Sequence, residues 1–176
     1  MDNLIDSTQA VLRLTADRWL SLTQSLPAGL VARAPAPGEW SALECLQHLV
    51  DTERDVFPVR VRAFLAGRDV EAYFPDSQGT RPAEGQNPAD LAAEFARLRA
   101  DSLKLLDTVT VADLDRRANH TELGRVTLSQ LLHEWGGHDL MHTVQAERAL
   151  MQPFILGCGP WQVYFKDHLA SPQPAA

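Results

Sequence analysis

Residues 127–151 read TLSQLLHEWGGHDLMHTVQAERALM. Wound at roughly 100° per residue, they show one narrow apolar stripe: Leu128, Leu131, Leu132, Trp135, Ala146 and Ala149. His138 and His142 fall inside that stripe. Their i, i+4 spacing projects both imidazoles from one face, about one turn apart. A single histidine on an apolar face is ordinarily a core residue with a hydrogen-bond partner. Two at this spacing suit a shared divalent ion, provided another element supplies a third ligand.

His133 and Glu134 do not extend this into the H-E-x-x-H motif of zinc proteases, because three residues separate Glu134 from His138. His133 lies about 140° round the helix from His138 and is expected on the solvated face. Gly136 and Gly137 each cost a helix about 1 kcal/mol relative to alanine. The stripe keeps its phase across them, so the helix is expected to run through. Their missing side chains would leave room beside a metal or let another backbone approach.

The sequence has 176 residues and a formal net charge of −7. That length allows one domain with a real core. The charge argues against a nucleic-acid surface and against membrane binding through basic residues. Cys45 and Cys158 form no C-x-x-C pair, so neither a zinc finger nor a thioredoxin motif is present. The N-terminus MDNLIDSTQ is polar and acidic and reads as no signal peptide. No apolar run reaches the length of a membrane span. The expectation is a cytoplasmic protein, residues 1–170 forming one helical domain and 171–176 a disordered tail.

Residues 3–25 read as a first helix, with Leu4, Val11, Leu12, Leu14, Trp19 and Leu22 in a roughly helical repeat. Pro27 to Gly38 carries three prolines and two glycines and reads as a loop. A second helix starts at a Ser41–Glu44 capping box, with Trp40 and Cys45 as a hydrophobic staple. It runs to about Ala66, kinked at Pro58 or ending near Phe57. His48 lies at the border of its apolar and polar arcs, at a core edge within reach of solvent. Residues 67–87 look irregular, with Tyr73 and Phe74 packing over the core or lining a pocket. A third helix starts at Asn87–Pro88 and fades near Thr108. Residues 109–126 read as irregular, with His120 expected at the surface and, as the alternative, approaching the site. The fourth helix is capped by Thr127 with Gln130 and ended by Pro153 and the Gly157–Pro160 cluster. Residues 160–169 suggest a short amphipathic helix docked through Trp161, Tyr164, Phe165 and Leu169, on the bundle or on a second subunit. No stretch gives a secure strand signal. The fold class is all-α, a four-helix bundle with a short extra C-terminal helix.

His48, His138 and His142 thus stand out together. Trp40, Ser41, Glu44 and His48, followed by His138, His142 and Gln145, resemble the W-S-x-x-E-x-x-x-H and H-x-x-x-H-x-x-Q pattern of the DinB/YfiT-like metalloenzyme family. The resemblance runs from the first helix to about residue 150. It implies a four-helix bundle, often a homodimer, with a divalent metal held by His48, His138 and His142. Zinc comes ahead of nickel or iron. Members of the wider family include metal-dependent thiol S-transferases and a thiol-dependent isomerase, so the implied partner is a small thiol or electrophile.

The chemistry of the residues leads the same way. Three neutral imidazoles leave a zinc ion with an open position, where a water or thiol loses its proton near neutral pH. Each ligating histidine should donate its other ring N–H to an acceptor. Asp51, Asp139 and Gln145 are candidates, with simple solvation as the alternative. A diiron site wants E-x-x-H pairs; Glu44–His48 and Glu134–His138 are one residue too long. A structural metal in a non-catalytic module would instead need a closing fourth ligand, Asp139 or His120.

Overall fold

The capping signals in the sequence set where the long helices begin. The computed structural model describes residues 3–74 and 81–170. In it α1 spans Leu4–Ser25, with Asn3 accepting from the Ile5 backbone N–H. Next comes α3, Ala42–Asp55, opened by the Ser41–Glu44 capping box, after a single helical turn α2, Ala28–Val31. That turn sits in the stretch expected to be loop. The chain then breaks at Val56 (φ −119°, ψ −77°) and restarts as α4, Phe57–Leu65, with Pro58 in its first turn. Proline lacks an N–H, so a helix start accommodates it where an interior would not. Of the two expectations for this stretch, ending near Phe57 is the one found.

Helix α5, Pro88–Leu106, is capped by Asn87. Helix α6, Leu128–Gly157, is capped by Thr127 with Gln130. It continues past Pro153 and ends at Gly157, where the expected Gly157–Pro160 cluster begins. The Gln152 side chain donates to the Arg148 carbonyl at 2.8 Å. Residues Gly159–His168 form a 3-10 segment. Of the four residues expected to dock it, Trp161 and Tyr164 do not pack on the bundle but are exposed, while Phe165 and Leu169 are half-buried. Polar contacts hold it as well, with Gln152 donating to His168 O at 2.8 Å and accepting from Ala170 N at 2.9 Å. The expected disordered tail, 171–176, lies outside the described residues.

The stretch 109–126 is not all irregular. β1, Arg117–His120, pairs antiparallel with β2, Gly124–Thr127, in the register His120↔Gly124. The three-residue loop closes through Gly124 at φ +73°, the left-handed position such a hairpin needs and glycine takes without strain. The hairpin is tied to the chain after α4: Val70 N donates to Asn119 O at 3.0 Å, and Thr121 N to Val70 O at 3.2 Å.

In the bundle α1 packs on α5 and α6, and so does α3. The core falls into two apolar clusters. One gathers Leu12, Phe57, Phe64, Leu106, Leu132 and Trp135; the other gathers Trp19, Leu46, Leu49, Leu91, Phe95 and Ala146. Leu14, expected in the buried repeat of α1, is exposed. Between the clusters lies a buried ionic layer drawn from all four long helices. Arg99 forks onto Glu53 (Nε–Oε1 2.9 Å, Nη2–Oε2 2.8 Å). It also donates to Asp139 Oδ2 at 2.7 Å and to the Leu12 carbonyl at 2.8 Å. Thr15 donates to the same Asp139 oxygen at 2.5 Å. Burial alone would lower the Arg99 pKa. The Asp139 and Glu53 carboxylates beside it carry the pKa above its ordinary value, so the guanidinium is held charged.

Candidate metal centre

The capping box that starts α3 also builds one wall of the site. It fixes Ser41 and therefore Trp40 just before it. His48 follows two turns into the helix. The Trp40 ring stacks on His142 at 5.8 Å and 18°, and lies 5.2 Å from His48. From α6, His138 and His142 project one turn apart, as their spacing requires. Across the break at Val56, Phe57 at the head of α4 supports His138, ring to ring at 5.0 Å.

These elements bring the three histidines together. His48 Nε2 lies 3.0 Å from His138 Nε2. One ring nitrogen from each of His48, His138 and His142 falls within 4.8 Å of the others. Tetrahedral zinc with Zn–N of ~2.0–2.1 Å sets its ligand nitrogens about 3.3 Å apart, so small movements of these rings would accommodate an ion. His48 and His142 are buried and His138 is half-buried.

Burial, reinforced by His142, lowers the His48 pKa to about 4. Burial and the two neighbouring imidazoles lower His138 to about 2. His142 is lowered by burial too, against the pull of its bond to Gln145. All three rings are therefore neutral at pH 7 and carry the lone pairs that a metal needs.

The acceptors expected behind the rings are only partly present. Gln145 Oε1 lies 2.9 Å from His142 Nδ1, which directs that ring's Nε2 toward the other two. The Nδ1 atoms of His48 and His138 are buried without a partner among the described residues. Packing on Trp40, Phe57 and Tyr73 orients these two rings instead. Asp139 does not serve them. It is fully buried, not solvated, and committed to Arg99 and Thr15. Asp51 bonds Gln47 and Arg54. His133 is exposed, on the far side of α6 as its phase requires. Gly136 and Gly137 leave the helix unbroken, but a Cβ on either would meet nothing within 4 Å. They neither open space for a metal nor admit another backbone; they border a groove with α1 that also contains His133.

A cavity of about 360 Å³ opens onto the histidines, lined also by Trp40, Phe57, Arg60, Tyr73, His120 and Met141. His120, expected at the surface, is 9% exposed. Pairing of the hairpin with Val70 carries it inward, and no helical period in the sequence could have signalled that. Arg60 was equally hidden, as one of several arginines in an amphipathic stretch. Tyr73 takes the pocket-lining alternative.

Residues 12–146 match the DinB superfamily. Comparison with curated proteins gives no match. Among solved structures, the fold is similar to YfiT from Bacillus subtilis, described as a probable metal-dependent hydrolase with an unusual four-helix bundle topology. The TM-score is 0.73, with 17% identity, covering 85% of this chain and 87% of that one. At that identity the likeness is one of fold. The match of sequence along most of the chain settles the family: this protein belongs to the DinB superfamily.

Proposed function

We propose that this protein is a metal-dependent enzyme in which His48, His138 and His142 hold one divalent ion, zinc ahead of nickel or iron. The observation that carries the reading is the convergence of three neutral imidazoles on the wall of an open cavity. A divalent ion held there supplies Lewis acidity, under which a thiol or water loses its proton near neutral pH. Gln145 sets the orientation of His142. Trp40 and Phe57 pack against the imidazoles, and Tyr73 and Met141 border the space where a small reactant would sit.

Two features favour a reactive site over a structural one. The two residues that could close the coordination sphere are occupied elsewhere: Asp139 in the ionic layer and His120 with backbone N–H groups. The cavity also gives access from outside. The favoured reaction is thiol S-transfer, in which a small thiol is deprotonated and attacks a small electrophile. Hydrolysis by an activated water is the second reading, supported by the description of YfiT. A cytoplasmic setting and a homodimer go with this proposal. Among the described residues no helix is long and apolar enough to cross a membrane, and Phe154, Leu156, Trp161 and Tyr164 expose apolar surface that a second copy could cover.

Cobalt substitution tests the reading. Titrating a small thiol such as cysteine into the cobalt protein should raise a sulfur-to-cobalt charge-transfer band at neutral pH. His142→Ala should abolish it. A cobalt spectrum indifferent to thiols and other small anions would mean a closed, structural site.

A further inference from the structure

The cavity has a second polar corner that metal binding leaves unused. Arg60 of α4 is buried, 8% exposed, and its Nη2 donates to the Glu71 carbonyl at 2.8 Å. Beside it stands His120, at the end of β1. The backbone N–H groups of Glu122 and Leu123 both donate to His120 Nδ1, each at 3.2 Å. An Nδ1 that accepts carries no hydrogen, so the ring's hydrogen is placed on Nε2. Yet Nε2 faces Arg60, 3.3 Å from Nη2, and a guanidinium has no acceptor to offer. Two N–H donors therefore confront each other at the cavity wall. Glu134 Oε1 stands 3.8 Å from Arg60 Nη1, on a side chain 51% exposed, beyond hydrogen-bond length. Among the described residues the donor pair has no shared acceptor. Both residues line the cavity of the three histidines and an adjoining one of about 420 Å³.

We propose that Arg60 and His120 form a carboxylate-binding subsite, so that the substrate of the histidine centre is a small molecule carrying a carboxylate. The inference deepens the metalloenzyme reading and rests on it for the word substrate. A carboxylate offers about four lone-pair sites on two oxygens and can take both donors at once. It would replace a donor-to-donor contact with two charge-assisted bonds. Glu134 competes for the same guanidinium from its solvent side, and Glu122 lines the cavity as well. The subsite therefore discriminates among anions by geometry more than by net potential. The surrounding Phe57, Leu123 and Met141 favour an apolar body on the ligand.

Calorimetric titration with 3-phenylpropionate and its neutral isostere 3-phenylpropionamide tests this, on the protein as purified and again after metal removal. The acid should bind at least about tenfold more tightly than the amide in both states, the scale of charge-assisted hydrogen bonds. Arg60→Met should erase the preference, and Glu134→Gln should increase it several-fold. Failure of the metal reading would leave these results intact, because the metal-free arm reads the subsite alone. Equal affinity for acid and amide would overturn the proposal. So would a preference that survives Arg60→Met but vanishes with the metal, since the carboxylate would then sit on the ion. Should Arg60→Met fail to fold, Glu134→Gln decides, and an unchanged preference there would equally overturn it.

Discussion

His138 and Asp139 are neighbours on α6, yet they belong to opposite kinds of polar interior. Asp139 enters a layer in which each charge meets an opposite charge and the backbone is engaged as well. His138 faces a cavity with a buried Nδ1 unpartnered and an Nε2 pressed against another imidazole's Nε2. The first arrangement is complete in itself; the second calls for something from outside. Buried polar groups in folded proteins are almost always satisfied. The difference between the two regions sets a self-satisfied polar layer against a polar cluster left open to a cavity, and the second is where we propose that an ion binds.

The sharpest way to break that comparison is to remove Arg99. Two carboxylates would be left buried without their cation, and loss of one partner from such a set typically costs about 3–5 kcal/mol. Arg99→Met should therefore lower the unfolding free energy from urea melts by about that much, or leave the protein unfolded. His138→Ala in metal-free protein should cost well under half as much. Equal costs would mean that the histidine cluster is as structural as the ionic layer.

A smaller effect sharpens the picture of α6 itself. Gly136 and Gly137 sit in helix with open space where a Cβ would stand. Replacing either with alanine should stabilise the protein by about 1 kcal/mol in urea melts and leave metal content unchanged. Destabilisation, or loss of metal, would show that these positions serve the site after all.

Much of this was legible in the sequence, and the failures share a cause. Helix starts announce themselves locally, since Ser41–Glu44, Asn87 and Thr127–Gln130 each bond within three residues. The phase of α6 placed His138 and His142 inward and His133 outward because a helix is periodic. The same phase put Asp139 beside the stripe and gave no sign that Arg99, 40 residues away, would claim it. His120 and Arg60 escaped for that reason too. Their positions depend on a hairpin whose signal was Gly124 after a three-residue loop, and on that hairpin pairing with Val70. Pro153 misled in the other direction: the helix runs through it and stops only at Gly157, where the glycine–proline cluster begins.

Metal content of protein purified without a histidine tag tests the central claim most directly. One divalent ion per chain is expected in the wild type and in His133→Ala. His48→Ala, His138→Ala and His142→Ala should each lose most of it. Where metal binds, an excess of about 100 Kd would add roughly 2.7 kcal/mol to stability, a gain the three alanine variants should lack. Metal absent from the wild type, or equally present in His138→Ala, would contradict the three-histidine centre.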